Sequence, residues 1–295
     1  MSKKVRVDFY RVDTKDSLVL FEKVIQQISD LPNDETRNIE IRGFPIRLQS
    51  SSQRLGFWQG DLVRIRMNDI PTKASLSGET ELLDLEDDEG LGEETAFLYH
   101  ISTKVLLIQR NRLGVSASAF SKYCQKICQL SEYIAFDPIL SGDVLTRLTQ
   151  MQIVRKFELK VARVEDLGIL KGQDLGVDEI LDIKDFFNAP NVSLTVSVGN
   201  KRNMSLDNVI DTARSLFRHA SSENTGNVKK IEVSGANEED DKTDIIDLLE
   251  YWIKEWIDIT PSDPRTVSYA ERLQALEKAW DQRQDELQKM YPQAN

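Results

Sequence analysis

The chain is poor in the side chains that most catalytic and metal sites need. Its 295 residues include 2 cysteines and 2 histidines. Cys124 and Cys128 lie four residues apart on a predicted helix, where disulfide geometry is hard to reach, so we expect reduced thiols in the core. His100 and His219 fall in separate predicted elements, which leaves His-based acid–base or nucleophilic chemistry poorly supplied.

Recognisable catalytic motifs are missing as well. The sequence has no phosphate-loop glycine pattern, no Gly-x-Ser-x-Gly elbow, no His-Glu-x-x-His pair and no Cys-x-x-Cys. It also lacks an apolar run approaching the roughly 18 residues of a membrane helix, and its first residues show no signal-peptide core. We therefore expect a cytoplasmic protein that is not an enzyme, requires no cofactor or metal and has no membrane segment.

Negative charge dominates the composition, which argues against nucleic acid as a partner unless the basic residues are concentrated. The formal net charge is −11. Residues 81–99 hold eight acidic and no basic side chains, whereas residues 100–165 hold ten basic and five acidic ones. The middle of the chain is thus locally basic.

Hydrophobic periodicity predicts a mixed α+β fold with largely antiparallel sheets, packed helices and a C-terminal helical hairpin. Val5, Val7 and Phe9 alternate with polar residues as in a half-buried strand, and a helix of period 3.6 follows from about residue 16. Further strands are predicted at 38–42, 45–49, 61–67, 96–101, 105–109, 153–164, 192–198 and 228–233, with helices near 116–130 and 206–219.

The C-terminal segment predicts two helices, 244–257 and 267–290, because Pro261 and Pro264 cannot lie inside one continuous helix. From length and turn residues we expect three units. They are an N-terminal α+β domain at 1–140, a second α/β domain at 141–236 and the helical hairpin at 237–295.

The segment after the predicted hairpin carries the main candidate site. Arg110 and Arg112 lie where a strand opens toward a helix, Gly114 allows close backbone approach, and Ser116 or Ser118 can cap the helix. Cations that alternate along the strand at 153–164 could also face phosphates. The candidate nucleic-acid-binding residues are Arg110, Arg112, Ser116, Ser118, Lys122, Arg155, Lys156, Lys160, Arg163, Lys201 and Arg202. The alternatives are an ordinary capped helix with solvated arginines and the polar face of a half-buried strand.

Acidic residues crowd a second segment, which contains Asp84, Glu86, Asp87, Asp88 and Glu89. Such a density of like charge favours a solvated loop. The alternatives are a site for a cation or a basic partner, and a metal-dependent nuclease centre.

The stretches Gly90–Tyr99 and Val105–Ser116 resemble a bacterial family of uncharacterised proteins and, more distantly, the RexA exclusion protein of phage lambda and the anti-phage protein KwaB. The shared order is an acidic segment, a hairpin, an Arg-containing turn and a helix. This resemblance implies a homodimer that binds double-stranded DNA without sequence preference and blocks phage growth. It carries over to Arg110, Arg112 and the loop Gly114–Ser118.

Two functional hypotheses follow. The first is an anti-phage or phage-exclusion protein that binds duplex DNA through phosphates. The second is a non-enzymatic adaptor whose acidic loop and C-terminal helices bind a protein partner, with its carboxylates mimicking the charge of DNA. A metal-dependent nuclease using Asp87 and Asp88 ranks third.

Overall fold

A computed structural model describes most of the chain. The described residues are 2–14, 18–151, 153–162, 186, 191–198, 204–210, 212, 228–236 and 243–292. The strands among them are β1 (Lys3–Thr14), β2 (Ile39–Ile41), β3 (Phe44–Arg54), β4 (Phe57–Arg66), β5 (Lys73–Ala74), β6 (Thr80–Glu81), β7 (Leu91–His100), β8 (Val105–Gln109), β9 (Ile134–Pro138), β10 (Ile153–Ala162), β11 (Asn191–Ser197), β12 (Val228–Ala236), β13 (Thr243–Asp247) and β14 (Lys254–Ile259). The helices are α1 (Phe21–Ser29), α2 (Ala117–Ile127), α3 (Gly142–Gln150) and α4 (Tyr269–Met290), with a 3₁₀ turn at Glu35–Arg37 and a helical stretch at 206–210.

The strands form two antiparallel sheets and one small exposed hairpin. The large sheet has eight strands in the order β14-β1-β8-β7-β4-β3-β2, with β9 also paired to β1, and it curls into a half-barrel. The second sheet has the order β11-β10-β12-β13, and β5 pairs with β6. The predicted α+β class with largely antiparallel sheets is confirmed.

Strand β1 is buried on both faces, more fully than a half-buried strand would be. Val7 and Phe9 belong to the cluster of apolar side chains beneath α4. Tyr10 and Val12 belong to the cluster that α1 and α2 cover, and this second cluster continues into the second sheet through Phe157. The two faces of the large sheet therefore pack against different elements.

The prediction of a helical hairpin at the C-terminus is wrong in its first half. Residues 243–247 form β13 in the second sheet, and residues 254–259 form β14, which pairs antiparallel with β1 from Lys3 to Asp8. Apolar residues recur there at helical spacing, but Trp256 and Ile257 point to opposite faces of a strand, and pairing with β1 supplies the backbone hydrogen bonds. The predicted unit 237–295 is consequently shared between both sheets and a single described helix.

Helix α4 matches the second half of that prediction. It begins after Ser268, whose hydroxyl accepts a hydrogen bond from the Glu271 N–H while the Glu271 carboxylate accepts from the Ser268 N–H. This reciprocal capping box satisfies donors at the helix start. The apolar side of α4 packs on the large sheet, with Leu276 and Trp280 in the buried cluster.

A buried ion cluster joins α4 to the sheet. Arg272 Nη2 lies 2.6 Å from Asp61 Oδ2 of β4, and Nη1 lies 2.6 Å from Glu94 Oε2 of β7. Both Asp61 and Arg272 are buried, at 3% and 4% exposed. Because burial removes both charges from water, the attraction between them is needed to offset the desolvation cost of each.

We expect Arg272→Ala to lower the free energy of unfolding by about 3–5 kcal/mol, because it leaves the Asp61 carboxylate buried without its cation. Urea unfolding followed by circular dichroism measures the loss. Arg265→Ala is the matched control, since the Arg265–Asp263 pair is exposed and such pairs contribute less than about 1 kcal/mol. Similar losses in the two variants would contradict the assignment.

The same cluster predicts a pH dependence. Burial raises the pKa of Asp61 to about 6, with Glu94 adding to the shift and Arg272 opposing it. Because this pKa exceeds that of the unfolded chain, the folded protein binds more protons between roughly pH 4 and 6, and the group's contribution to stability falls as the pH rises through that window. Relative to Asp61→Asn, the wild type should therefore lose unfolding free energy between pH 4 and 7, and an unchanged difference would rule this out.

Candidate nucleic-acid interface

Hydrogen bonds to neighbouring strands fix the start of the connection from β8 to α2. The side chain of Gln109, the last residue of β8, accepts a hydrogen bond of 3.1 Å from the Ala96 N–H. The next N–H, that of Arg110, donates to the carbonyl of Arg6 in β1 over 2.8 Å. The backbone of Arg110 is thus fixed at the end of the sheet beside β1.

The loop that follows closes onto β7. Thr95 Oγ1 accepts from the Val115 N–H at 2.9 Å, and Asn111 Nδ2 donates to the Glu94 carbonyl at 2.8 Å. A Cβ on Gly114 would lie 2.2 Å from Thr95 Oγ1. The lack of a side chain at Gly114 therefore allows the loop to pack against Thr95. The geometry favours this packing role over close approach to a phosphodiester.

Ser116 is the residue that caps α2. Its hydroxyl accepts a hydrogen bond of 3.2 Å from the Ala119 N–H, and its carbonyl accepts from the Phe120 N–H at 2.9 Å. Ser118, the alternative cap, lies in the first turn with its hydroxyl 3.4 Å from that of Ser116. The helix start, with its partial positive charge, lies near the end of β8, since both line one cleft.

A small, shallow cleft that is open to solvent lies at this helix start. Its lining residues are Asp8, Tyr10, Ile108, Gln109, Arg110, Asn111, Arg112, Val115, Ser116 and Ala117. The cleft therefore combines two predicted arginines and the predicted cap with a buried carboxylate that the sequence did not single out.

Asp8 is the acidic residue of the cleft, and it is 1% exposed. Its Oδ1 accepts a hydrogen bond of 2.7 Å from Arg6 Nε. Burial raises the pKa of Asp8, whereas the charges of Arg6, Arg110 and Lys254 oppose that shift. This carboxylate thus lies among three cations that come from three neighbouring strands or their ends.

Arg6 and Lys254 extend the positive surface around the cleft. In the register of β1 with β14, Asp8 is opposite Lys254 and Arg6 is opposite Trp256. With Arg110 and Arg112 these residues place four cations around one buried carboxylate. The alternation of β1 could have placed Arg6 on the same face as Asp8. Lys254 could not be placed there, because its segment was wrongly predicted to be a helix.

The remaining predicted residues lie elsewhere. Lys122 is on α2, where burial together with Arg42 and Lys126 lowers its pKa. Arg155, Lys156 and Lys160 are in β10 of the second sheet. Arg163, Lys201 and Arg202 lie outside the described residues.

Both lysines of β10 belong to an ion-pair ladder. Lys156 Nζ lies 2.9 Å from Glu158 Oε2 and 3.7 Å from Glu232 Oε1, and Lys160 Nζ lies 3.8 Å from Glu158 Oε1. Lys230 pairs with the same two carboxylates. These contacts favour the alternative that this is the solvated polar face of a strand.

The acidic segment is an exposed connection between β6 and β7. Asp84, Glu86 and Asp87 lie in it, and its neighbours Leu76 and Leu82 are also exposed. Within the described ranges, no group of three or more His, Cys, Asp or Glu side chains is arranged to hold a metal ion. None of the helices described there is long and apolar enough to cross a membrane.

Comparison with known proteins places the chain in a family without assigning it an activity. Residues 1–289 match the model of a family described as Family of unknown function (DUF6731). No curated protein matches the chain. The resemblance to RexA and KwaB stays a prediction, and the site must be interpreted from its own chemistry.

The cap makes a direct prediction for α2. We expect Ser116→Ala to lower the free energy of unfolding by about 0.5–2 kcal/mol, because the Ala119 N–H loses its acceptor. Ser118→Ala is the matched control and should change stability by less than about 0.5 kcal/mol. Thermal or urea unfolding compares the variants, and a larger loss from Ser118→Ala would show that the cap is misassigned.

Proposed function

Because the chain belongs to the DUF6731 family, whose function is not known, we propose a function from its geometry: it binds nucleic acid, double-stranded DNA in the first instance, through phosphate contacts and without base recognition. One observation carries this proposal. Arg110 and Arg112 line a single cleft with the capped start of α2, and Arg6 and Lys254 lie beside it. The RexA- and KwaB-like sequence pattern extends the proposal to a role in phage exclusion.

The donor set suits phosphate oxygens. Guanidinium groups bind phosphates by paired, charge-assisted hydrogen bonds, and a helix N-terminus adds N–H donors and a favourable dipole. Arg112 is exposed and Arg110 is partly exposed, so both can reach a ligand at the cleft mouth. Asp8 holds Arg6 in place and reduces the local repulsion among the cations.

The same set explains why binding would ignore base sequence. Cations and backbone N–H groups contact the sugar–phosphate backbone, which carries no sequence information directly. Since the whole chain has a net charge of −11, attraction depends on local concentrations of cations such as this one. Affinity should therefore be modest and should fall steeply with added salt.

An adaptor role remains the second candidate, and one observation favours it. The segment around the β5–β6 hairpin exposes Leu76 and Leu82 next to the acidic connection, as a protein-binding arm would. The apolar side of α4, the other surface considered for that role, is buried against the sheet and cannot contact a partner.

The salt dependence of duplex binding tests the main proposal. We expect Arg110→Ala/Arg112→Ala to weaken binding and to make the slope of log K against log salt shallower by about 1–2 units, since about one counterion is released for each phosphate contact. Fluorescence anisotropy with a labelled duplex of arbitrary sequence measures both quantities.

Lys156→Ala/Lys160→Ala removes the same number of charges from the ion-pair ladder and should leave the slope unchanged. If the wild type binds no duplex at low salt, or if both double variants alter the slope equally, the proposal is wrong.

A further inference from the structure

Trp256 is an exposed aromatic side chain beside the cleft. It is 56% exposed, whereas Trp58, Trp252 and Trp280 are between 5% and 7% exposed. It lies on β14, where Ile257 and Ile259 on the opposite face pack under α4. Burial therefore accounts for the isoleucines of this strand and leaves the position of Trp256 unexplained.

The ring of Trp256 shares a face of the sheet with the cations of the cleft. Trp256 is opposite Arg6 in the pairing of β14 with β1, and the backbone of Arg6 accepts the hydrogen bond from Arg110. Arg110, Arg6 and Trp256 therefore lie in one row across neighbouring strands, which are about 4.8 Å apart. A nucleotide whose phosphate is held at Arg110 would have its base within reach of this ring.

Arg6 also restricts the tryptophan. Its guanidinium carbon lies 5.9 Å from the centroid of the Trp256 ring and 5.8 Å from that of the buried Trp252 ring. Since the Asp8 carboxylate fixes Arg6, the cation–π contact holds Trp256 beside a positively charged surface. Aromatic rings set among cations are the usual means of binding single strands, because every base has a face that can stack.

We propose that Trp256 stacks on an unpaired base, so that the cleft binds a single-stranded segment of nucleic acid as well as the backbone of a duplex. The proposal rests on the proposed phosphate contacts at Arg110 and Arg112. In a closed duplex the base faces are already stacked on one another, and the Trp256 ring has no face to cover. An unpaired base presents that face at the cost of ordering one nucleotide.

The test compares oligo(dT) with a duplex of equal length, using anisotropy and intrinsic tryptophan fluorescence. Because the other three tryptophans are buried, quenching on addition of oligo(dT) reports mainly on Trp256. We expect Trp256→Ala to weaken oligo(dT) binding roughly tenfold, to abolish the quenching and to change duplex affinity less than about twofold. Trp256→Phe should retain part of the single-strand affinity. Leu55→Ala, which removes an exposed side chain at the β3–β4 turn, should change the affinity for neither oligo(dT) nor the duplex.

The outcomes separate this inference from the proposed function. Equal weakening of both ligands by Trp256→Ala, or unchanged oligo(dT) binding, overturns the stacking role. A wild type that elutes as a dimer, with Trp256→Ala monomeric and still binding oligo(dT), also overturns it and assigns the ring to an interface between copies. If Arg110→Ala/Arg112→Ala leaves duplex binding unchanged while Trp256→Ala still impairs oligo(dT) binding, the phosphate proposal fails and the stacking result stands.

Discussion

The pairing of β1 along both of its edges is the constraint on which the rest of the structure depends. One edge pairs with β8, and the other pairs with β14 and then with β9. Sequence positions near 6, 110 and 254 are therefore brought into adjacent strands, although the chain separates them by more than a hundred residues. The pairings with β8 and β14 bring the cations of the cleft together, so Arg6, Arg110 and Lys254 share no local motif.

The two faces of the large sheet have different arrangements of charged side chains. On the α4 face, buried Arg272 is compensated by Asp61 and Glu94, and this ion cluster fixes the helix. On the α2 face, Asp8 lies near Arg6, Arg110 and Lys254, whose charges oppose the rise in its pKa. Like charges held close together repel one another, and an anion bound among them lowers that repulsion.

Local sequence patterns predicted local structure well and long-range structure poorly. The hairpin β7–β8, the cap at Ser116 and helix α4 follow from short-range rules of turns and capping. The strand β14 did not, because apolar residues at helical spacing favoured a helix and only pairing with β1 overrides that preference. Lys156 and Lys160 fitted a phosphate-binding strand, but Glu158 lies between them on the same face of β10, as the alternation of a strand requires. The pairing of β10 with β12 then adds Glu232, and register between distant strands cannot be obtained from one sequence.

The difference between those two groups of basic residues decides where an anion would bind. In the ladder of the second sheet each lysine has a carboxylate within 4 Å, so a phosphate would have to displace an existing partner. At the cleft, Asp8 is a buried carboxylate whose own ionisation is opposed by burial, and it accepts a hydrogen bond from Arg6. The guanidinium of Arg112 is exposed at the cleft, so we expect a phosphate to be held there rather than on the ladder, although the ladder has three lysines. Local imbalance of charge, rather than the number of basic residues, determines where a strongly acidic protein can hold a polyanion.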